Sequence, residues 1–336
     1  MRVRPGESPG FRRLRAGRGF RYVDASGAAI SDEDRERIHD LVIPPAWEDV
    51  WICADPFGHI QAVGVDGAGR RQYLYHPQWR ARRDRGKFAR ALALAEALPR
   101  ARGRVTTALR REGLDRERVL AASFRLLDQA APRIGSARYL ERHGSRGLTT
   151  LQRRDAVVDG SVVTLSFPGK SGKRAYIEIE DAELASVLGE LSAGKPHSPL
   201  LAYVRGRRRV PLTPTEVNAY VRTLTGGSFT AKDFRTLRGT IFAAEALAQI
   251  GTVDSEREMK RAEVRAVAAT AEALGNTPAV ARASYIDPRV WTAYERGRTL
   301  DLTVSPESAI RRLIRGQGQR GRSKSGDADR KRRARR

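Results

Sequence analysis

Residues 115–135 read DRERVLAASFRLLDQAAPRIG, and their apolar residues follow the three- and four-residue spacing of an amphipathic helix. The stretch before them, KFARALALAEALPRARGRVTTALRREG at 87–113, has the same spacing. From Asp84 onward the composition is rich in Ala, Leu and Arg. We therefore predict a large, mainly helical domain over residues 86–310, with a domain boundary near 80–90.

A β-rich segment interrupts these helices. The sequence AVVDGSVVTLSF at 156–167 contains the pair Asp159-Gly160, which favours a tight hairpin turn. A second turn, PGKSGK at 168–173, leads into RAYIEIE. We predict three antiparallel strands here, with Lys170 at a hairpin tip.

Upstream, residues 19–85 are predicted to form a small β-rich domain. It starts with FRYVDASGAAI, which reads as strand, turn and strand, and continues with VWICA (50–54), HIQAVGV (59–65) and RRQYLYH (70–76). The Arg/Gly-rich residues 1–18 are expected to be a flexible basic arm. The predicted fold class is α+β: a small N-terminal β-sheet domain and a larger, mainly α-helical domain with a three-stranded β-hairpin insert.

The chain is strongly basic, with a formal net charge of +24 and a pI near 11.1. Residues 311–336 hold twelve Lys or Arg against two Asp, so we predict a disordered basic tail that binds phosphates without reading sequence. The tail accounts for less than half of the net charge, so the folded body is basic too. A polyanion, with nucleic acid as the first candidate, is the expected partner. Attachment to a ribosome or a membrane surface is the alternative.

Several classes of protein are excluded by what the sequence lacks. Cys53 is the single cysteine, which rules out an internal disulfide framework and a multi-cysteine zinc site. The motifs HExxH, CxxC and GxxxxGK[ST] are absent, and the histidines lack metal-ligand spacing. We expect no metal and no cofactor. The chain has no long apolar run and no signal-peptide core, so we expect a cytoplasmic protein that does not enter membranes.

Basic residues, an amide and tyrosines remain as candidates for chemistry. Metal-free cleavage of a phosphodiester needs a nucleophile, charge stabilisation around the pentacoordinate phosphorus, and an acid for the leaving oxygen. An arginine fork matches two phosphate oxygens, and a lysine can supply the proton.

Segments in the C-terminal two thirds of the chain carry a family resemblance. LGNTPAVARASYI resembles the tyrosine segment of type IB DNA topoisomerases of the poxvirus-like and bacterial branch, with Asn276 nine residues before Tyr285. KDFRTLRGT resembles the lysine–arginine helix of that family and matches its residues at Lys232 and Arg235.

Three further segments extend the resemblance. PRIGSARYL resembles the segment with the first catalytic arginine, at Arg133, and SFPGKSGKRAY resembles the hairpin with the catalytic lysine, at Lys170. Lys173 is a competing candidate for that lysine. IPPAW and RRQYLYH resemble the N-terminal DNA clamp. The resemblance covers about Phe20 to Leu300, and its strength is the family order of five individually weak motifs.

The resemblance implies a role for each matched residue. Tyr285 attacks a backbone phosphate and forms a 3′-phosphotyrosyl bond, while Arg133, Arg235 and Asn276 stabilise the transition state. Lys170 protonates the leaving 5′ oxygen. The strand then rotates and is rejoined, so that supercoiled DNA is relaxed without ATP and without an obligatory metal.

Double-stranded DNA is the implied partner, and we expect the enzyme to be a monomer whose two lobes clamp the duplex through a mobile linker near residues 80–90. The DNA-binding candidates are Lys232, Tyr139, Arg70, Arg71, Gln72, Tyr73 and Tyr75. Arg238, one turn after Arg235, is interpreted as structural or as a phosphate contact.

Two other functions stay open at this point. A tyrosine recombinase shares the catalytic set, but it usually carries His two residues before the second arginine, where this chain has Asp233. A non-catalytic basic DNA-binding protein would explain the charge but not the ordered motifs.

Overall fold

The computed structural model describes residues 1–316 of the chain. The chain divides into two compact units, Met1–Gly86 and the part from Lys87 onward. Among the described residues, no helix combines the length and apolar character that crossing a membrane would need.

The first unit is a five-stranded antiparallel sheet with one helix. Its elements are β1 (Gly10–Ala16), β2 (Gly19–Val23), α1 (Asp32–Asp40), β3 (Glu48–Cys53), β4 (Ile60–Val65) and β5 (Arg71–Tyr75). The strands lie in the order β2-β1-β3-β4-β5. Ile38 of α1 packs with Ile52 and Ala62 of the sheet, so the helix covers one sheet face. Ser31 accepts a hydrogen bond from the Asp34 N–H and begins the helix.

The expectation of a flexible arm over residues 1–18 is wrong. β1 lies in this segment and pairs with both β2 and β3. The guanidinium of Arg13, on β1, donates to the carbonyls of Pro44 and Trp47, at 3.1 and 2.5 Å. An arginine-rich composition hid a strand in which Arg13 is hydrogen-bonded within the fold. The second strand of the predicted FRYVDASGAAI hairpin is reduced to a single bridge between Val23 and Ala29.

The second unit is mainly helical. Its longest helix, α2, runs from Pro77 to Leu109 and starts in the first unit, so the segment predicted as a linker near 80–90 is helical. The further helices are α3 (Arg116–Ala130), α4 (Ala137–His143), α5 (Ala182–Ser192), α6 (Pro214–Thr225), α7 (Ala231–Ile250), α8 (Glu256–Ala273), α9 (Pro278–Tyr285), α10 (Arg289–Glu295) and α11 (Pro306–Arg315).

The predicted three-stranded insert is present, which confirms the α+β fold class. It consists of β6 (Ala156–Asp159), β7 (Val162–Pro168) and β8 (Arg174–Glu180), in that order. The turn after β7 is a short 3₁₀ segment at Lys170–Gly172. A second, two-stranded hairpin, β9 (Ala202–Arg205) with β10 (Arg208–Pro211), was not predicted, because its arginines mask the short strand pattern.

Helix α3 is the centre of the second unit. Ten of its 15 residues are buried, and Phe124 meets Phe234 of α7 edge to face with ring centroids 5.3 Å apart. This contact fixes α7 against α3. The chain leaves α3 through Ala131 in the left-handed conformation, with φ of 45°.

The predicted basic tail begins later than residue 311. Helix α11 extends to Arg315, and its Ile310 and Leu313 are buried in the core. The remainder of the predicted tail, 317–336, lies outside the described residues.

A buried ion network links α2, α3, α7 and α11. Arg102 donates two hydrogen bonds to Asp128, at 2.7 and 2.9 Å, and one to Glu307 at 2.5 Å. Arg238 donates to the backbone carbonyl of Asp128 at 2.7 Å and lies 3.7 Å from Glu307. Of the two interpretations of Arg238, these contacts support the structural one.

Replacement of Glu307 tests this network. Burial raises the pKa of Glu307, but the hydrogen bond and charge of Arg102 outweigh it, so the pKa lies below its ordinary value. We expect Glu307→Ala to lower the free energy of unfolding by about 3 kcal/mol, because buried guanidiniums lose an acceptor. The half-exposed pair Arg111–Glu117 supplies the control, since Glu117→Ala should cost about 1 kcal/mol or less.

Urea unfolding followed by circular dichroism measures both variants. Because the folded pKa is depressed, the contribution of Glu307 is present at neutral pH and disappears as the pH falls below about 4.3. Equal losses for the two variants at neutral pH would contradict the network.

Candidate active site

The start of α7 is fixed by a reciprocal cap. The carboxylate of Asp233 accepts hydrogen bonds from the Thr230 N–H and hydroxyl, at 2.8 and 2.9 Å. Its other oxygen accepts from Arg90 of α2 at 2.7 Å. Asp233 is 1% exposed, so its carboxylate is committed to the fold. The residue at the position where recombinases usually carry His therefore orients the helix that presents Arg235.

Arg235 is a buried cation without a carboxylate partner among the described residues. Its guanidinium donates to the carbonyls of Ala131 and Leu274, at 2.7 and 2.8 Å, and its side chain lies 4.9 Å from the centre of the Tyr285 ring. Its Nε atom is buried without a hydrogen-bond partner. A buried charge satisfied by dipoles alone favours an incoming anion.

Arg133 and Asn276 meet beside this cation. Arg133 donates to the carbonyl of Gly275 at 3.1 Å and to the side-chain oxygen of Asn276. The Nδ2 of Asn276 is buried and has no partner. Burial and the charge of Arg235 both lower the pKa of Arg133. The site thus concentrates positive charge and unpaired donors, as an oxyanion site requires.

Two glycines hold the Arg133 segment, and neither was predicted from the sequence. A Cβ at Gly147 would lie 2.5 Å from the Arg133 carbonyl oxygen and 2.7 Å from the Gly135 nitrogen. Gly135 has a φ of 78°, which favours glycine. The close approach allows the Leu148 N–H to donate to the Arg133 carbonyl at 2.8 Å. This close packing requires glycine at position 147, and the requirement can be recognised only once the two segments are seen in contact.

Tyr285 is the last residue of α9 and packs directly on α7. A Cβ at Gly239 would lie 2.8 Å from the Cβ of Tyr285 and 2.9 Å from its carbonyl oxygen. The Thr240 hydroxyl lies 3.1 Å from that carbonyl and accepts from the Asp287 N–H at 3.2 Å. Gly239 and Thr240 therefore position the tyrosine, although no role was predicted for either residue from the sequence.

The chain contains an internal reference for the ionisation of Tyr285. Burial raises the pKa of Tyr220, on α6, to about 12. Burial also raises the pKa of Tyr285, but the positive charges of Arg235, Arg133 and Lys232 outweigh it, and the net pKa lies below the ordinary value. The cations therefore favour the phenolate at Tyr285, which is the nucleophilic form.

A cavity of about 110 Å³ connects the arginines to the β7–β8 turn. Arg133, Arg235, Lys170 and Lys173 all line it. Both lysines are exposed, so their position in the cavity wall does not decide which of them is the catalytic lysine.

Arg146 also lines the cavity and was not predicted from the sequence. Its guanidinium donates to the buried Asp155 at 2.7 Å, and its backbone N–H donates to the Pro168 carbonyl at 2.7 Å. Arg146 thus joins the segment next to Gly147 with the strand that leads to Lys170.

The structure brings four of the five predicted catalytic residues into direct contact or charge interaction: Arg133, Arg235, Asn276 and Tyr285. Lys170 joins them through the cavity lining. No group of three or more His, Cys, Asp or Glu side chains in residues 1–316 is placed to hold a metal ion.

The DNA-binding candidates have mixed environments. Lys232 is exposed beside Tyr285, and Tyr139 of α4 is 56% exposed. In the first unit, Tyr73 and Tyr75 stack with ring centroids 6.1 Å apart. Asp66 accepts hydrogen bonds from Gln72 and Arg70, at 2.8 and 2.9 Å.

Arg71 is exposed on the same strand as these tyrosines. These candidates remain predictions, because no nucleic acid is present to test them.

A tyrosine with a lowered pKa beside two arginines and an unpaired amide donor is an arrangement suited to phosphoryl transfer. Comparison with known proteins shows the family. Residues 76–295 match the family described as "Eukaryotic DNA topoisomerase I, catalytic core", and residues 19–66 match "Bacterial DNA topoisomerase IB, N-terminal domain". Over 274 residues the chain is 27% identical to DNA topoisomerase 1B of Acanthamoeba polyphaga mimivirus, covering 80% of this chain and 81% of that protein.

Because the catalytic-core match spans more than half of the chain, the chain belongs to the type IB DNA topoisomerases. It is an isomerase whose substrate is DNA.

Substitution of Gly239 tests the positioning of Tyr285. Gly239→Ala places a methyl group against the Tyr285 backbone, and we expect cleavage of DNA under single-turnover conditions to slow by about 100-fold, since a shift near 1 Å has that effect. Gly189→Ala is the matched control, because Gly189 of α5 has open space around its Cα.

The control should keep full activity and gain up to about 1 kcal/mol in stability from helix propensity. Equal cleavage rates for the two variants would show that Gly239 does not position the tyrosine.

Proposed function

We propose that Tyr285 is the nucleophile with which this topoisomerase cuts one DNA strand. The observation that carries the proposal is the position of Tyr285, whose ring centre lies 4.9 Å from the Arg235 guanidinium. The charges of Arg235, Arg133 and Lys232 lower the pKa of Tyr285, whereas burial raises that of the half-buried Tyr220 to about 12. The Tyr285 oxygen attacks the phosphorus, and the bond from phosphorus to the 5′ oxygen breaks. The phosphate keeps its bond to the 3′ oxygen and is now also bonded to the tyrosine. Reversal by the 5′-hydroxyl after strand rotation rejoins the strand.

The arginines and the amide stabilise the pentacoordinate phosphorus in this proposal. Arg235 offers its unpaired Nε–H, and Arg133 offers its guanidinium, to the non-bridging oxygens. Asn276 offers its unpaired Nδ2, while its oxygen already accepts from Arg133. An amide cannot act as an acid or base at neutral pH, so its role is that of a hydrogen-bond donor.

Lys170 is proposed as the acid for the leaving 5′ oxygen. It lies at the β7–β8 turn and lines the cavity together with both arginines. Lys232, Tyr73 and Tyr75 are proposed to contact the DNA backbone. In this proposal the enzyme acts as a monomer in the cytoplasm, at the nucleoid.

A site-specific recombinase is the second candidate, since it shares the tyrosine and arginines. Asp233 argues against it, because its carboxylate accepts hydrogen bonds from Arg90 and Thr230 and cannot donate one to a phosphate, as a His at that position would. Strand exchange between two defined sites would favour the recombinase.

Relaxation of a supercoiled plasmid in EDTA without ATP tests the nucleophile. Wild type should relax the plasmid, and Tyr285→Phe should bind DNA but form no covalent complex. Tyr220→Phe removes an equally buried hydroxyl that has no hydrogen-bond partner, so it should retain activity. Formation of a covalent complex by Tyr285→Phe would show that another residue is the nucleophile.

A DNA substrate with sulfur in place of the 5′ bridging oxygen tests the acid. Thiolate leaves without a proton, so a variant that lacks the acid should be slow on ordinary DNA and restored on the sulfur substrate. We expect Lys170→Ala to lose about 10² to 10⁴ in cleavage rate on ordinary DNA and to recover on the sulfur substrate. Arg235→Ala should remain slow on both. Recovery by Lys173→Ala instead would assign the acid to the neighbouring lysine.

A further inference from the structure

The turn between β7 and β8 carries the proposed acid, and it extends beyond the rest of its sheet. Strand β6 pairs with β7 only from Val162 to Leu165. From Ser166 to Pro168, β8 is the one strand within residues 1–316 that pairs with β7. A two-stranded hairpin is marginally stable by itself. The end of the hairpin that carries Lys170 therefore needs support from outside the sheet.

Arg146 supplies this support on the side that β6 leaves open. The Gly169 N–H donates to the Lys173 carbonyl on β8's side of the turn, so the neighbouring Pro168 carbonyl faces the other way. There the backbone N–H of Arg146 donates to it at 2.7 Å. The Arg146 guanidinium donates to Asp155, the residue directly before β6, also at 2.7 Å. Arg146 thus holds β7 where a longer β6 would otherwise hold it.

The ion pair of Arg146 and Asp155 is buried. The two side chains are 9% and 3% exposed. The second carboxylate oxygen of Asp155 accepts a hydrogen bond from the Gln152 N–H at 2.8 Å, so both of its oxygens are used. Burying an ion pair costs desolvation, which only good geometry and further hydrogen bonds offset. The pair therefore connects the start of β6 to residue 146 in one defined arrangement.

The chain after Arg146 continues to the opposite wall of the cavity. Two residues on, the Leu148 N–H donates to the carbonyl of Arg133 at 2.8 Å. Arg133, Arg146 and Lys170 all line the same cavity of about 110 Å³. One short segment therefore contacts both the first catalytic arginine and the turn with the proposed acid, and it sets the separation between them.

We propose that Arg146 and Asp155 are positioning residues for the acid. Their ion pair holds the β7–β8 turn at the distance from Arg133 at which its lysine reaches the leaving 5′ oxygen. This inference rests on the proposed function, because it requires an acid on that turn. Asp155 does not line the cavity, so its part in the reaction is indirect. A direct contact between Arg146 and the phosphate is the competing role, since the Arg146 Nε is buried without a hydrogen-bond partner.

The DNA substrate with sulfur in place of the 5′ bridging oxygen separates these two roles, because its leaving group needs no proton. Single-turnover cleavage by Arg146→Ala is measured on this substrate and on ordinary DNA. A displaced lysine should slow cleavage of ordinary DNA by about 10- to 100-fold, as a misplacement near 1 Å does, and leave cleavage of the sulfur substrate near the wild-type rate. The ratio of the two rate constants does not depend on the fraction of enzyme that is folded, so a poorly folding variant still gives a result.

Two further variants test the connection between the ion pair and the lysine. Arg146→Ala should add nothing to the loss caused by Lys170→Ala on ordinary DNA, since a lysine that is absent cannot be misplaced. If the sulfur substrate identifies Lys173 as the acid, the double variant is made with Lys173→Ala instead. Asp155→Asn removes the charge that holds Arg146, so it should raise the ratio of sulfur to ordinary rate constants in the same direction.

Arg125→Ala is the matched control. Arg125 donates to Asp181, and their side chains are 13% and 5% exposed. Asp181 directly follows β8, at the end of the sheet far from the turn. The control thus removes an ion pair of similar burial from the same sheet. Its melting temperature should fall as that of Arg146→Ala does, while its ratio of rate constants stays at the wild-type value.

Slow cleavage of both substrates by Arg146→Ala would assign it the direct phosphate contact and overturn the proposal. Unchanged cleavage of both substrates, losses that multiply in the double variant, or an equal rise of the ratio in the Arg125→Ala control would overturn it too. Each of these results leaves the proposed function standing when a lysine variant recovers on the sulfur substrate. Failure of both Lys170→Ala and Lys173→Ala to recover would instead count against the proposed acid, and the inference would fail with it.

Discussion

The burial of one guanidinium organises the catalytic unit. Arg235 is 5% exposed, and two backbone carbonyls hold it, one from the end of α3 and one from the end of α8. Removing a charge from water is costly unless it is hydrogen-bonded, so these segments must converge for the fold to be stable. Ala131 supplies its carbonyl from a left-handed conformation that an alanine adopts at a cost. The fold accepts that cost, and the same turn directs Arg133, two residues further on, into the site.

The unpaired donors of the site have the same origin. Because Arg235 is satisfied by dipoles rather than by a carboxylate, its charge acts on Tyr285 and on whatever anion enters. A carboxylate at this point would neutralise the cation and remove its effect on the pKa of the phenol. The nearest acid on the same helix, Asp233, is held by Thr230 and Arg90 instead. Separation of the structural acid from Arg235 leaves the cation available to a phosphate in the proposed reaction.

The parts of this arrangement that could be predicted from sequence are those coded locally. The three-stranded insert follows from a turn pair and alternating strands, and the motif residues around Tyr285 and Arg235 were identified by their resemblance to a known family. Strand β1 was missed because its arginines resemble those of a solvated arm, although Arg13 donates to backbone carbonyls. Gly147 and Arg146 were missed because their contacts join segments brought together by the folded chain. Whether Lys170 or Lys173 is the acid depends on geometry with DNA bound, which neither the spacing nor the cavity lining decides.

The two halves of the proposed site differ in a way that suits a reversible reaction. The nucleophile half is buried and rigid: Tyr285 lies against Gly239, and Arg235 is held at both ends of its fork. This half must present the same cations to the phosphorus in cleavage and in rejoining, since the transition state is shared by both directions. The acid half lies on an exposed turn, where a lysine exchanges protons with water. A group that gives a proton to the leaving oxygen must take one back when that oxygen returns. The exposed acid half and the less exposed nucleophile half therefore both suit a reaction that runs in both directions.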